Sequence, residues 1–301
     1  IKAPEFDKRF KPMPESRNEV LEFSDSETKR SMLIVKRSQE EAGLNREFHI
    51  AQFLFDLLGY KGIVPESLTF KQHGQYFYFI QKRIPGSTIH EKLTKGPDAD
   101  LLGQFVKTLD EYQRTIHRNG RIAGRYHFSI QQIDYDSEFA EKFVDRVKSE
   151  IPEYNFSPIQ ENMQIIYNHL RKQREGGCHG DMHAKNGIVY DNTKICIIDP
   201  EKIFWGAKIL DWVNFILHTK VERGVDLEKH INMGYDFFKK RDMSPDEYLT
   251  AYQCGNVFKA SQMAGTVLKY TKRGSISKET GTERFNGYIQ SALTSLDILK
   301  E

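Results

Sequence analysis

The chain has 301 residues, 39% of them hydrophobic and 29% charged, which suits a globular protein large enough for two lobes around a sizeable core. With 44 Lys and Arg against 42 Asp and Glu, its formal charge is +2, so bulk charge gives no reason to expect a nucleic-acid partner. No run approaches the ~18 apolar residues of a membrane span, and Cys178, Cys196 and Cys254 are too few and too scattered for a disulfide framework or a zinc site.

No signal peptide is visible, and a cytoplasmic protein is expected. The chain starts at Ile1 rather than Met, which leaves room for a removed N-terminal segment. Residues 1–17 are charged and carry Pro4, Pro12 and Pro14, as an arm or linker would. Arg17 to Phe23 reads as a strand, with Val20, Leu21 and Phe23 apolar, followed by a polar turn, Ser24 to Thr28, without glycine. Ser31 to Arg37 reads as a second strand, in which Lys36 closes the apolar run Met32 to Val35. Helical spacing of Phe48, Ala51, Phe55 and Leu58 predicts a helix over Leu44–Leu58, with Glu47 in its first turn. On these residues alone, Lys36 is either a solvated strand end or a held cation. Glu47 is either its partner or an acid favoured by the helix dipole.

Ser67 to Lys71 and Tyr76 to Lys82 read as strands around a His73-Gly74-Gln75 turn. The second, YFYFIQK, is almost continuously apolar, as a central strand is, and Arg83-Ile84-Pro85-Gly86 breaks it. Ser87 to Gly177 reads as helices. The clearest runs from Asp100 to Arg118, with Leu101, Phe105, Leu109, Tyr112 and Ile116 on one face. Arg118, Arg121, Arg125 and His127 form a basic stretch, either a solvated face or a contact for an anionic substrate. Amphipathic helices are predicted over residues 136–149 and 158–174. Further ones are predicted near Leu227–Arg241, Ser244–Tyr270 and Glu283–Lys300, with a polar break at about Lys272–Glu283.

The chemistry concentrates between Cys178 and Trp212. His179-Gly180-Asp181-Met182-His183 is a polar turn, and Asn186 follows. Gly187–Tyr190 and Lys194–Ile198 then read as a hairpin across Asp191-Asn192, so that Asn186 at its entrance and Asp199 at its exit emerge at one end. An amide and a carboxylate are a plausible ligand set for Mg²⁺, which keeps its other positions for water and phosphate. A third oxygen group, Asp181, is then left to orient and deprotonate a hydroxyl, so the set suits phosphoryl transfer. Cys178 and Cys196 flank this stretch and read as reduced core thiols.

The pattern H-G-D-x-H-x-x-N, an apolar strand and I-D-x-E resembles the aminoglycoside phosphotransferase and choline kinase family. The resemblance implies an α+β, two-lobed protein-kinase-like fold. Its small N-lobe would have an antiparallel sheet and one helix (residues 1–84), and its larger, mainly helical C-lobe would catalyse and bind the acceptor (85–301). It implies Asp181 as catalytic Asp, Asn186 and Asp199 as metal ligands, and Glu201 as an auxiliary or outer metal carboxylate. His183 would contact the transferred group or brace the loop. Lys36, held by Glu47, would contact the α and β phosphates, and backbone groups of Lys82 and Ile84 would meet the adenine edge. Asp211 would fix the catalytic loop. The implied activity is ATP- and Mg²⁺-dependent transfer to a hydroxyl of a small molecule of aminoglycoside, amino-alcohol or sugar type, with GTP left open as donor. The resemblance leaves the oligomeric state open.

Two rivals share the fold, an atypical protein kinase and a nucleotide-binding scaffold without turnover. More than 90 residues separate the strand break from the loop, and only eleven lie between Asp199 and Asp211, which favours a small acceptor over a peptide. Glu228, Asp236, Asp242, Asp246 and Glu247 are candidates for an acidic wall that would suit a cationic acceptor.

Overall fold

A computed structural model describes residues 11–12, 19–24, 31–191, 193–200 and 202–301. Most of the predicted arm, the polar turn from Asp25 onward and Asn192 of the hairpin turn lie outside the described residues, while Lys11–Pro12 of the arm forms a short strand paired with Val20 and Glu19. The first lobe is a five-stranded antiparallel sheet in the order β1 (Lys11–Pro12), β2 (Glu19–Ser24), β3 (Ser31–Ser38), β5 (Tyr76–Lys82) and β4 (Ser67–His73). The apolar strand β5 is central, with Lys36 of β3 opposite Phe79.

Helix α1 (Glu41–Leu58) covers one face of the sheet through Leu44, Phe48 and Ala51, which pack on Phe79 with Phe70 and Phe77. Val35 and Tyr78 form a smaller cluster with Leu21, Phe23 and Ile80. The other side of α1 (Ile50, Phe53, Leu54 and Leu58) belongs to the main core, and Phe53 meets Tyr126 and Phe128 edge-on at 5.5 and 5.4 Å. The helix thus starts before the expected Leu44, which moves Glu47 into its second turn. No side chain caps its start, so the usual polar N-cap signal is missing.

The second lobe is mainly helical. It contains α2 (Ile89–Leu93), α3 (Ala99–Asn119), α4 (Tyr135–Phe139), α5 (Asp145–Glu150), α6 (Ser157–Gln160), α7 (Met163–Arg171), α8 (Ile209–Arg223), α9 (Tyr235–Phe238), α10 (Pro245–Lys272) and α11 (Lys278–Ile298). A single π turn, Ala140–Val144, joins α4 to α5. Phe105 of α3 stacks on Phe215 of α8 at 4.3 Å, and buried Trp212 lies beside both.

Three short strands interrupt the stretch predicted to be only helical: β6 (Ser87–Thr88), β7 (Gln131–Gln132) and β8 (Glu175–Cys178). Strand β6 joins the hairpin of β9 (Gly187–Tyr190) and β10 (Lys194–Ile197), which pairs in register, Ile195 opposite Val189. Strand β8 pairs antiparallel with β11 (Phe204–Ala207). Its sequence, EGGC, carries no alternating pattern, because Gly177 sits against Ile116, where a Cβ would meet the side chain at 2.0 Å.

The helix predicted over Leu227–Arg241 is instead a 3₁₀ segment, Glu228–Gly234, followed by the single turn of α9. The indole of Trp212 and the hydroxyl of Tyr248 both donate to the Ile231 carbonyl (3.1 and 2.9 Å), which ties it to neighbouring elements. The predicted break at 272–283 shrinks, since Ser277 caps α11 through the Thr280 amide at 3.1 Å. No helix among the described residues is long and apolar enough to cross a membrane.

All three cysteines are buried free thiols. Burial pushes Cys178 and Cys196 well up and Cys254 to about 12, so thiolate is negligible near neutral pH. An aromatic disulfide reagent should therefore label none of them in native buffer and all three in denaturant. Rapid labelling of the native chain would mean that one of these sites opens.

Candidate active site

The loop between β8 and β9 is fixed from below by Asp211, in the first turn of α8. Its carboxylate accepts the amides of His179 (2.7 Å) and Gly180 (3.0 Å) and the side-chain amide of Gln113 (2.8 Å). Three converging donors explain why a carboxylate is 1% exposed here. Gly180 lies at φ +85°, where a Cβ would also stand 2.6 Å from the Lys202 carbonyl, so the turn requires glycine. His179, fully buried, bonds the Ile198 carbonyl at 2.9 Å and ties the loop to the exit of β10. Asn214 donates to the Met182 carbonyl at 2.9 Å. Asn186 donates to the Asp181 carbonyl at 2.9 Å, which closes the loop on itself.

The second half of the site is a charge triangle. The Lys36 ammonium bonds both Glu47 of α1 and Asp199 beyond β10, so three distant stretches converge on one group. Lys36 and Glu47 are buried, while Asp199 stays partly open, with 44% of its side chain exposed. Burial alone would lower the Lys36 pKa, but the carboxylates of Asp199 and Glu47 outweigh it and raise it, so the ammonium is permanently charged. Asp199 adopts φ +65°, a strained conformation for a residue with a side chain.

A divalent cation fits this donor set. Besides the oxygen given to Lys36, Asp199 has one that carries no hydrogen bond among the described residues, and the same holds for the side-chain oxygen of Asn186. One carboxylate and one amide oxygen are what Mg²⁺ takes from a protein when phosphate and water supply the rest. Among the described residues no cluster of three or more His, Cys, Asp or Glu forms a metal cage. Glu201 lies outside the described residues.

Asp181 is surrounded by cations and rings. Lys202 is 3.3 Å from its carboxylate. Burial would raise the pKa of this acid, but Lys202 above all, then His183, Lys259 and His179, hold it well below the usual carboxylate range. His183 stacks on His218 of α8 with centroids 4.6 Å apart. Burial lowers both imidazoles' pKa, so both are neutral at pH 7, and the Nδ1 of each is buried without a partner. Lys259, 6% exposed in the middle of α10, donates to the Gly180 carbonyl at 3.3 Å and forms no ion pair among the described residues.

Sequence reasoning missed Lys259 and His218, since only the docking of α10 and α8 on the loop brings them near Asp181, and it missed Lys202, which reaches Asp181 from the segment just after Asp199. The five candidate acids, which surface positions would equally supply, all have local roles. Glu228 pairs with Lys220, Asp236 with Lys239, and Asp242 lies beside Arg241, while Asp246 and Glu247 serve the first turn of α10.

At the strand break, the Lys82 amide donates to the Glu66 carbonyl at 2.8 Å and its ammonium pairs with Glu66. Ile84 makes no backbone hydrogen bond among the described residues. His117 is exposed, its ring edge-on to Trp205 with centroids 5.7 Å apart.

A sheet-and-helix lobe, a mainly helical lobe and a loop pinned under the hairpin define a protein-kinase-like architecture. The family model described as the phosphotransferase enzyme family matches residues 15–241, and the chain belongs to that family. Among solved structures, an amicoumacin kinase in complex with AMP-PNP, Ca²⁺ and Ami superposes with a TM-score of 0.68 at 14% identity, covering 98% of this chain and 94% of that one. A choline/ethanolamine kinase family protein from Mesorhizobium loti gives 0.65 at 13% identity (97% and 91% covered). An aminoglycoside 2'-phosphotransferase-IIIa variant in its GDP complex gives 0.65 at 12% identity (93% and 90% covered). At these identities the likeness is one of fold. No curated protein sequence matches the chain.

Proposed function

We propose that the protein transfers the γ-phosphate of ATP, with Mg²⁺, to a hydroxyl of a small molecule. Residues up to 84 would hold the nucleotide, and 85–301 would carry the catalytic loop and the acceptor. The observation that carries this reading is the convergence of Lys36, Glu47 and Asp199 beside a loop in which Asp211 fixes Asp181 and Asn186.

Lys36, oriented by Glu47, binds the α and β phosphates, and backbone groups of Lys82 and Ile84 meet the adenine edge. Mg²⁺, held by Asp199 and Asn186, supplies charge neutralisation at the phosphate oxygens. Asp181 accepts the hydroxyl proton at its free carboxylate oxygen as the bond to phosphorus forms. It remains ionised throughout the working pH range because its pKa is depressed. His183, stacked on His218, would brace the loop beside Asp181. Lys202 and Lys259 make that side cationic, which favours the sugar-type end of the acceptor range over amine-rich molecules.

The test is transfer of labelled γ-phosphate from ATP or GTP to a panel of sugars, amino alcohols, aminoglycosides and a protein. Label on one small molecule supports the reading, and label on protein alone would replace it with protein kinase activity. Asp199→Ala should weaken nucleotide binding at least about tenfold in Mg²⁺ and little in EDTA, given a charge-assisted contact of about 1.5–3 kcal/mol. Equal loss in both buffers would place the metal elsewhere.

A further inference from the structure

A second charged site lies on the helical lobe, with no lining residue in common with the site above. A cavity of about 470 Å³ gathers Arg114 and Arg118 from α3, Arg171 from the end of α7, and Arg174, Lys208 and Lys240 from connecting segments. Glu175 is its one lining carboxylate. Asp110 answers buried Lys208 and lies 2.8 Å from Arg114, and Asp136 answers Arg171 at 2.9 Å.

The other three cations have no carboxylate partner among the described residues. Arg174 and Lys240 each donate to a backbone carbonyl, Phe237 and Lys172, at 3.1 Å, and the Arg118 side chain makes no hydrogen bond or ion pair among the described residues. Helix dipoles favour cations in the last turns of α3 and α7, which accounts for Arg118 and Arg171. They do not account for Arg174, Lys208 and Lys240, which come from outside those turns and close the same space. Burial lowers the Lys208 pKa, with Asp110 opposing, so the fold bears a cost here that a bound anion would relieve.

We propose that this cavity is a second ligand site, for a small molecule carrying phosphate or diphosphate. Guanidinium forks converging from separate segments match phosphate oxygens. The volume is that of a small-molecule pocket, and an open cleft where cations from separate segments converge differs from the basic stripe that tracks a nucleic acid. The site also stands behind the catalytic loop. Strand β8 runs from Glu175 in the cavity wall to Cys178, next to His179. The Gln113 amide that donates to Asp211 also donates to the Lys208 carbonyl at 2.9 Å.

The experiment is calorimetric titration of pyrophosphate into the intact chain, in magnesium buffer with saturating AMP-PNP so that the nucleotide site is filled. The parent is compared with Arg118→Glu/Lys240→Glu. Both positions are exposed, so the variant should fold and bind AMP-PNP as the parent does. The expected result is one saturable equivalent in the parent, weakened at least about tenfold in the variant by loss of two charge-assisted contacts. No binding in the parent, or equal binding in both, would overturn the proposal. So would a short single-stranded RNA that outcompetes pyrophosphate and loses affinity in the same variant.

Discussion

Asp181→Asn should lower kcat by about 10²–10⁴-fold, the usual worth of a positioned proton acceptor, while the nucleotide Kd stays within about twofold. The substitution keeps the size of the side chain and removes its charge, and with it the ability to take a proton and the ion pair with Lys202. The groups proposed to hold the nucleotide, Lys36, Glu47 and Asp199, form their contacts without Asp181. Steady-state transfer assays with a titration of Mg·AMP-PNP separate the two effects. A variant that turns over near the parent rate would show that another group accepts the proton. A variant that loses nucleotide binding equally would make Asp181 a structural residue.

The second large effect is expected at Asp211→Ala. This change strips the partner from the amides of His179 and Gly180 and from one bond of Gln113, in a buried place. Each stranded buried donor costs about 1–3 kcal/mol, so a total of roughly 3–5 kcal/mol is expected, in the range for breaking a buried charged network. The melting temperature should fall by several degrees, and turnover should fall with it, since the loop that positions Asp181 loses its anchor. Asp211→Asn keeps an acceptor oxygen and should recover much of the stability. A melting temperature equal to the parent's in Asp211→Ala would mean that the loop is held by His179, Asn186 and Asn214 alone.

The parts of this protein legible in its sequence are those where chemistry demands a residue type at a short spacing. His179, Asp181, Asn186 and Asp199 lie within one loop and one hairpin, and the hairpin's register follows from its apolar runs. Lys36 and Glu47 were legible as a pair only through the family resemblance, since the residues alone left both readings open, and the uncapped start of α1 misplaced the turn in which Glu47 lies.

What stayed hidden is what tertiary packing decides. Lys259 is an ordinary lysine in a long helix until α10 lies across the loop, and burial then leaves it the Gly180 carbonyl. Strand β8 was invisible because its glycines serve the close approach of Ile116 rather than an alternating face. The helix expected after Leu227 yields to a 3₁₀ segment whose Ile231 carbonyl is held by Trp212 and Tyr248, partners far from it in the chain.

The ladder between β8 and β11 has a consequence for control. Soon after Asp199 the chain is stitched into this sheet from Phe204 to Ala207, and α8 begins at Ile209. Eukaryotic signalling enzymes of related architecture use a long flexible stretch at this point as an on–off device, written by one kinase and erased by a phosphatase. Here the corresponding stretch is too short and too tightly paired to swing.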